Sequence, residues 1–449
     1  MGTSGENMDI LIVGGTLLPM TAPGKIIENP LIGIRDGKIA FVQANNNSQS
    51  YQEHAATVLD ASGCIVMPGL INCHTHLGMT LFRGLADDLP LMSRLDDHIF
   101  PAEARFINAE TVYAGSLLGI AEMILSGTTT FCDGYFFEDE VGKAALHAGM
   151  RGVIAQGFID FPTPDAPENT DIKETAERFL KRWRGRSPLI VPSLFCHSLY
   201  TCSPETLQTI HAVARLADVP FQIHLAETSE EAALIEKRYG KKPAELLRDL
   251  GLLSPRTLVV HGIYLDDDAL KILSDHQVKV VHDPESNMKL AAGVAPVPKM
   301  LRMGIDVGLG TDGCASNNDL DLFGEMSAAA RLHKVFSGDP TAISASQAVE
   351  MATIGGARVL GMESKIGSIA PGKEADIILV DMNKPHLTPC YNPFSALVYA
   401  ACGADVAVSI IQGRIVMKDR QISTIALNAL LEEVRGIAQR IEVLAYAKH

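Results

Sequence analysis

The pattern of apolar and polar positions divides the chain into three parts. Residues 1–65 contain short apolar runs separated by tight turns, including the Asp36-Gly37 pair that is typical of a β-hairpin. From residue 66 to residue 361, apolar runs typical of buried strands alternate with helical patterns. Short strand-like runs return after residue 361 and precede an amphipathic helix predicted over residues 426–447.

The central part contains eight predicted strands with helices between them. The strands span residues 66–76, 128–133, 152–160, 189–197, 221–224, 257–261, 279–282 and 306–312. The clearest helical patterns cover residues 110–126, 171–183, 204–217, 321–335 and 344–360. This order of strands and helices predicts an α/β fold, a (β/α)8 TIM barrel over residues 66–361.

The flanking strands are too short to bury a sheet face alone. Those of the C-terminal part are predicted at residues 366–373, 375–380 and 406–416. We therefore expect residues 1–65 and 362–449 to pair as one small β-sandwich domain beside the barrel, with the C-terminal helix on the outside.

Composition narrows the class of protein. The formal net charge of −15 over 449 residues argues against nucleic acid or an acidic membrane surface as a partner, and is compatible with a small-molecule substrate. No apolar run is long enough for a membrane span, and the polar N-terminus does not resemble a signal peptide. The eight cysteines form no Cys-x-x-Cys pair, which is typical of free thiols in a cytoplasmic protein.

Histidines recur at the ends of the predicted strands. His74 and His76 lie two residues apart and therefore point to the same side of their strand. The later strands end in His197, His224, His261, His282 and Asp312. Active sites of parallel barrels assemble at the C-terminal ends of the strands, so we expect these side chains to meet there.

Four of these side chains form a chemically sensible metal site. His74, His76, His224 and Asp312 supply three neutral nitrogens and one carboxylate, which suit one divalent cation. Zn²⁺ is the expected ion, and Fe²⁺ and Mn²⁺ suit the same ligands. His261 is expected to hydrogen-bond the water on the metal, His197 to touch substrate, and His282 to support the site or the core.

Two carboxylates are candidates for proton transfer. Glu227 follows His224 by three residues, so strict alternation would send it to the opposite face. We expect the strand to end at about Leu225 and the chain to curl inward, which would make Glu227 the proton shuttle. The alternative is a helix N-terminal glutamate, a role that Glu230 and Glu231 fit better. Asp312 could also take the proton from the attacking water.

Several motifs resemble those of the amidohydrolase superfamily, and within it the mononuclear aminohydrolases. The motifs are Pro68 to His76 (PGLINCHTH), Leu81 to Gly84 (LFRG), His224 to Glu227 (HLAE), His261-Gly262, Ser286 to Leu290 (SNMKL) and Gly310 to Gly313 (GTDG). The resemblance covers nearly the whole chain and is strongest to the 5-methylthioadenosine/S-adenosylhomocysteine deaminases. Two-metal relatives use a carboxylated lysine that the third and fourth predicted strands lack, so the resemblance implies a single metal.

The resemblance implies hydrolytic deamination at C6 of an adenine ring, with release of ammonia. Glu227 would protonate the ring nitrogen, while His261 and Asp312 would orient and deprotonate the water. By the same comparison Glu103 would hydrogen-bond the ribose hydroxyls, and His197 would contact the nucleoside. A homo-oligomer is also expected by analogy.

Two positions depart from the pattern of these deaminases. Arg94 stands where they usually carry a tryptophan, which replaces an apolar wall by a cation. Gln156 matches the place where some members use an arginine to bind the homocysteine carboxylate, and a neutral amide cannot form that bidentate pair. Both are candidate substrate contacts, and S-adenosylhomocysteine is a substrate only if Arg94 or another residue binds its carboxylate.

Two other functions stay open from the sequence. The same framework could deaminate another nitrogen heterocycle, such as an s-triazine, a pterin or a guanine-like base. A catalytically silent metal or nucleoside binder is the alternative of another class, although a binder has no need for Glu227, His261 and Asp312 together.

Overall fold

The computed structural model describes residues 7–45, 48–89, 94–166 and 171–445, whose strands form three sheets. In chain order the strands are β1 (Met8–Val13), β2 (Thr16–Leu17), β3 (Ile27–Glu28), β4 (Pro30–Arg35), β5 (Lys38–Ala44), β6 (Ala55–Asp60), β7 (Cys64–Pro68), β8 (Leu70–Thr75), β9 (Thr128–Tyr135), β10 (Arg151–Phe158), β11 (Ile190–Ser198), β12 (Phe221–Leu225), β13 (Thr257–His261), β14 (Lys279–His282), β15 (Val307–Leu309), β16 (Ile377–Asp381), β17 (Val406–Ile411), β18 (Arg414–Lys418) and β19 (Gln421–Ile422).

Helices separate the barrel strands and cover the outside. The α-helices span Gln49–Gln52, Phe100–Phe106, Ala109–Leu125, Glu138–Ala148, Ile172–Trp183, Pro204–Ala217, Ser229–Tyr239, Pro243–Asp249, Asp267–Asp275, Pro284–Lys289, Val297–Arg302, Leu322–Ser337, Ala345–Glu350, Gly356–Val359, Pro393–Tyr399 and Leu427–Ala445. Short 3-10 or π turns span Leu77–Phe82, Leu95–Ile99, Met351–Gly355, Pro385–Leu387 and Gly403–Asp405. None of the helices described here has the length and apolarity of a transmembrane span.

Strands β8 to β15 follow one another in chain order as a parallel eight-stranded sheet. The sheet closes where the carbonyl of His74 accepts hydrogen bonds from the backbone N–H groups of Thr311 and Asp312, each at 3.1 Å. The predicted (β/α)8 barrel is therefore confirmed.

The eighth strand differs from its prediction over residues 306–312. It ends at Leu309, because the next residues leave the extended conformation, and Asp312 has a positive φ of 61°. This early turn brings the Asp312 backbone across to His74 and so contributes to barrel closure.

The run predicted as one strand over residues 66–76 is two strands in different sheets. β7 belongs to the sandwich and β8 to the barrel, with Gly69 between them. A Cβ at Gly69 would lie only 2.1 Å from the Thr129 Oγ1 atom, so the close approach of the two sheets requires glycine. The predicted domain boundary at residue 65 therefore falls inside β7.

Two sheets pack beside the barrel. One has the order β5-β4-β1-β6, and the other has the order β19-β18-β17-β16-β7-β2-β3. N-terminal and C-terminal strands pair directly, because β16 is antiparallel to β7 with Leu379 opposite Val66. Ile10, Ile12, Ile32, Val66, Ile377 and Ile410 are among the side chains of the core between these sheets.

The C-terminal part differs from its prediction at residues 366–373. Residues 366–373 are not a strand, because Gly367 and Gly372 have positive φ angles and Pro371 lacks a backbone donor. The final helix packs against helix Ala109–Leu125 of the barrel. Residues 446 and 447, which were predicted to end it, lie outside the described residues.

A buried ion pair joins the barrel to the sandwich. Arg151, the first residue of β10, donates from Nε to Asp376 Oδ2 at 2.8 Å and from Nη2 to Oδ1 at 3.2 Å. Asp376 Oδ1 also accepts from the backbone N–H of Gln412 at 2.7 Å. Both charged side chains are almost fully buried, so each depends on the other.

Replacing Arg151 by alanine should lower the free energy of unfolding by about 3–5 kcal/mol, since it leaves a buried carboxylate unpaired. Urea unfolding measures this change. Lys173→Ala is the matched control, because it removes an exposed pair with Glu177 and should cost about 0.5 kcal/mol or less. A loss of less than about 1 kcal/mol for Arg151→Ala would show that the junction does not depend on this pair.

Candidate active site

Three histidine side chains meet at the C-terminal end of the barrel. One nitrogen from each of His74, His76 and His224 lies within 4.8 Å of the others, and all three residues are buried. The Nε2 atoms of His74 and His224 are only 3.1 Å apart. His74 at the end of β8, His76 directly after that strand and His224 of β12 are thus brought together.

The carboxylate of Asp312 completes this cluster. Its Oδ1 atom lies 3.3 Å from His76 Nε2 and 3.7 Å from His74 Nε2. Its Oδ2 atom accepts a hydrogen bond from Ser286 Oγ at 2.8 Å. The four predicted metal ligands therefore share one point at the strand ends.

Protonation of the cluster follows from burial and from the Asp312 charge. Burial lowers the pKa of His74 and of His224 well below the usual range, so both rings are neutral. Burial also acts against protonated His76. The hydrogen bond to Asp312, the charges of Asp312 and Asp133 and the Gly134 carbonyl together outweigh burial and raise the pKa of His76 to about 9. The His76–Asp312 contact in turn holds the pKa of Asp312 well below its usual range, although burial alone would raise it.

This donor set fits one divalent cation. Two neutral nitrogens face each other at 3.1 Å, and His76 Nδ1 lies 2.6 Å from the Gly134 carbonyl, which orients Nε2 toward the cluster. Three imidazole nitrogens and one carboxylate are ligands that zinc, iron and manganese accept.

His261 lies beside the cluster in a fixed orientation. Its Nδ1 atom is 3.0 Å from Asn287 Oδ1 and 3.4 Å from Asp283 Oδ2, so Nδ1 carries the proton. Its Nε2 atom lies 3.9 Å from Glu227 Oε2. Burial opposes its charged form, yet the charges of Glu227, Asp283 and Asp312 raise the pKa of His261 overall.

The chain curls inward after β12, as predicted for Glu227. Ala226 has a positive φ of 52°, which breaks the alternation and turns Glu227 into the barrel mouth. Glu231 holds this turn, because its carboxylate accepts from the N–H groups of Ala226 at 3.1 Å and Glu227 at 2.8 Å. Burial raises the pKa of Glu227, with His261 acting in the opposite direction.

A single pocket leads down to these groups. It encloses about 990 Å³, its open mouth included, and its floor includes His76, His224, Glu227, His261 and Asp312. Its walls are largely aromatic and aliphatic, which is typical of a small-molecule site.

The predicted substrate contacts Glu103 and His197 line this pocket. Glu103 accepts a hydrogen bond from the Tyr135 hydroxyl, and burial raises the pKa of its carboxyl to about 7. His197 lies with Nδ1 2.9 Å from Thr201 Oγ1, and burial lowers its pKa to about 4. Glu103 therefore offers a hydrogen-bond acceptor to a bound molecule, and His197 offers a neutral imidazole ring.

Arg94 also lines the pocket, close to its floor. It is buried and donates to Ser316 Oγ at 3.2 Å. Burial lowers the pKa of Arg94, while the charges of Asp312 and Glu227 act against that shift.

Gln156 does not reach this pocket. Alternation along β10 points Ala155 and Gly157 inward and Gln156 outward, where its amide donates to Asp165 Oδ2 at 2.9 Å. The expectation that Gln156 contacts substrate therefore receives no support from the geometry.

His282 lies on the outer face of β14, away from the cluster. Its Nε2 atom is 3.1 Å from that of His333 on helix Leu322–Ser337, and both rings are buried. Of the two roles expected for His282, this position favours the structural one.

Several supporting residues were not assigned from the sequence. Three of them contact a predicted site residue: Asp283 lies beside His261, Tyr135 donates to Glu103, and Ser316 accepts from Arg94. Glu231 acts as a clamp, since its carboxylate holds the backbone N–H groups of the turn at Glu227. Asn287 lies in a quoted motif, but only the fold brings it to His261. The spacing of Glu231 from Thr228, a capping pattern, was the one available signal for the clamp.

Known proteins resemble this chain over nearly its whole length. The model of the amidohydrolase family matches residues 65–416. A 5-methylthioadenosine/S-adenosylhomocysteine deaminase from Syntrophobacter fumaroxidans is 48% identical over 444 residues, which cover 98% of this chain and 100% of that protein. A 5′-deoxyadenosine deaminase from Methanosarcina acetivorans is 44% identical, with 98% and 100% covered.

A solved structure extends this similarity. The crystal structure of an adenosine deaminase from Xanthomonas campestris with bound zinc aligns with a TM-score of 0.94 at 36% identity. The alignment covers 98% of this chain and 99% of that chain.

Zinc should stabilise the protein by about 2.7 kcal/mol when free zinc is a hundred times the dissociation constant. His224→Ala removes one nitrogen ligand and should lose most of this stabilisation, whereas His54→Ala changes an exposed histidine and should keep it. Urea unfolding with and without metal, together with mass-spectrometric metal content, measures both effects. Equal zinc content in His224→Ala and wild type would contradict the site.

Proposed function

This chain belongs to the amidohydrolase family, and we propose that it is a metal-dependent hydrolytic deaminase of adenine nucleosides. The substrates would be 5′-methylthioadenosine, 5′-deoxyadenosine, adenosine or S-adenosylhomocysteine, each giving the inosine analogue and ammonia. The observation that carries the proposal is that the Glu227–His261 pair lies in one pocket with the histidine–aspartate cluster.

His74, His76, His224 and Asp312 would hold one divalent cation, for which zinc is the first choice. When bound, such a cation supplies Lewis acidity for the activation of water. Iron and manganese suit the same ligands, and the identity of the metal is part of the proposal.

His261 is the base best placed for the attacking water. Its Nδ1–H donates to Asn287, which leaves the lone pair of Nε2 free on the side of the pocket. Asp312 carries a second acceptor on the same side. Together they would orient the water toward C6 and take its proton.

Glu227 would carry the proton to the ring. Its buried carboxyl has a raised pKa and therefore holds a proton more readily than an exposed glutamate. In the proposed reaction water adds to C6 and one of its protons passes to the ring nitrogen N1. The other proton leaves the new C6 hydroxyl and is taken up by the amino group. The bond between C6 and the amino nitrogen then breaks, ammonia leaves, and the C6 carbonyl of the inosine analogue forms.

Binding of the nucleoside follows from the pocket walls. Glu103 would accept hydrogen bonds from the ribose hydroxyls, and the neutral His197 ring would contact the base. Arg94 would contribute near the base, since it is buried and the charges of Asp312 and Glu227 act on it.

Two broader expectations belong to the same proposal. The eight cysteines are free thiols, which suits a reducing cytoplasm. A homo-oligomer stays a prediction by analogy.

Glu227→Gln should lower kcat by about 10²–10⁴-fold, since an amide can neither take up nor release the proton. Ammonia release by the zinc-loaded proteins measures the change with 5′-methylthioadenosine, adenosine, 5′-deoxyadenosine, S-adenosylhomocysteine, guanine, cytosine and melamine as substrates. Turnover of adenine nucleosides that is lost in Glu227→Gln supports the proposal. No turnover of any adenine nucleoside by metal-loaded protein would contradict it and would direct the search to other rings.

Glu231→Gln should lower kcat by about tenfold to a hundredfold, because its amide can accept from only one of the two N–H groups that fix Glu227. KM and zinc content should stay near their wild-type values, which separates a positioning role from general loss of structure. Steady-state kinetics and metal analysis test this.

Glu230→Gln is the matched control for Glu231→Gln. Glu230 lies next in the chain but is exposed and bonds only to Ser229 Oγ among the contacts described, at 3.1 Å. Unchanged kcat in Glu231→Gln, or equal losses in both variants, would contradict the positioning role.

A further inference from the structure

The proposed function fixes which end of the substrate faces the pocket mouth. The reacting carbon C6 must reach the floor, where Glu227, His261 and Asp312 lie. N9 is at the opposite end of the purine, so the ribose and its 5′ substituent must extend toward the mouth.

The outer part of the pocket is apolar and aromatic. Among the lining residues, Phe100, Phe136, Phe161 and Tyr200 are partly exposed, while Ile99 and Phe158 are buried behind them. Phe161 is 42% exposed and packs edge-on against Phe100, with ring centroids 5.8 Å apart, so this pair marks the rim. A 5′ substituent would therefore lie among hydrocarbon surfaces.

Cations are scarce in this part of the pocket. Among the lining residues that the structure describes, Arg94 is the only lysine or arginine. The sequence stretches 90–93 and 167–170, which adjoin lining residues in the chain, contain neither lysine nor arginine. A carboxylate on a 5′ substituent would find no partner of opposite charge at the rim.

Arg94 lies below the rim, although its Nε atom has no hydrogen-bond partner among the described residues. It is 2% exposed and donates a hydrogen bond to Ser316. Of the charged groups around it, Asp312 and Glu227 at the floor have the strongest effect on its pKa. A 5′ substituent extends in the opposite direction.

A neighbouring cavity does contain a cation, Arg178, but acidic groups dominate it. Asp139, Glu140 and Asp165 line the same cavity, and Glu174 lies 3.8 Å from Arg178. Gly157 and Phe158 line both cavities and form part of the wall between them. This cavity is therefore a poor site for the carboxylate of a substrate bound in the pocket.

We infer that this deaminase selects substrates with an uncharged 5′ substituent, such as 5′-methylthioadenosine and 5′-deoxyadenosine, and discriminates against the zwitterionic S-adenosylhomocysteine. This inference rests on the proposed function and deepens it. The discrimination arises because the apolar rim removes water from the amino-acid group without offering charged partners.

The test separates charge from length. S-adenosylhomocysteine and 5′-butylthioadenosine carry chains of equal length on sulfur, and only the former is charged. We expect kcat/KM for 5′-butylthioadenosine to lie within tenfold of that for 5′-methylthioadenosine, and at least tenfold above that for S-adenosylhomocysteine.

A rim substitution should reduce this discrimination. Phe161→Arg introduces a cation where the amino-acid group would lie, and should raise kcat/KM for S-adenosylhomocysteine at least tenfold. Phe161→Leu is the matched apolar control and should leave the preference for uncharged substrates in place. Neither change touches the groups on the pocket floor.

Two results would overturn the inference. One is a kcat/KM for S-adenosylhomocysteine within threefold of that for 5′-butylthioadenosine, and the other is an equal, large loss for both long substrates. Calorimetric dissociation constants for the zinc-loaded Glu227→Gln variant give the same ranking without turnover. If no nucleoside is deaminated, the proposed function fails. The order of the dissociation constants still shows whether the rim favours an uncharged 5′ substituent.

Discussion

The closure of the barrel at His74 is the contact on which the rest of the site depends. The His74 carbonyl accepts from the backbone of Thr311 and Asp312, and the Asn72 side chain supports this seam through hydrogen bonds to Thr311. The same contacts that join the first strand to the eighth place an imidazole beside a carboxylate. The backbone contacts that close the barrel therefore also bring His74 and Asp312 of the histidine–aspartate cluster together.

Burial and nearby charges together set the protonation states of the groups around the cluster. His74 and His224 are kept neutral, Asp312 is kept ionised, and the carboxyl groups of Glu103 and Glu231 have a pKa raised to about 7. These differences arise because each side chain faces a different balance of lost water and nearby charge. Neutral imidazoles, an ionised carboxylate and carboxyl groups with a raised pKa therefore lie close together at the end of the barrel.

The sequence predicted the fold well, because strand periodicity is a local feature, and the residues predicted as metal ligands lie together at the strand ends. The strands at residues 257–261 and 279–282 have the predicted bounds, and the inward curl at Glu227 is present. The early end of β15 was missed because a left-handed turn at Asp312 is fixed by contacts with β8. The family resemblance alone suggested Gln156 as a substrate contact, and alternation along β10 points it away from the pocket. The clamp made by Glu231 was hidden because its partners are backbone N–H groups.

The single residue between β7 and β8 has a consequence for synthesis on the ribosome. Gly69 connects the sandwich to the barrel with no linker, and β7 finds its neighbour β16 only about 300 residues later. At typical elongation rates of about 5–20 residues per second, the N-terminal strands wait for roughly 15–60 seconds before their sheet can be completed. During that interval the edge of β7 is exposed to other nascent chains. The order of translation thus leaves this edge of β7 without its partner strand until β16 has been made.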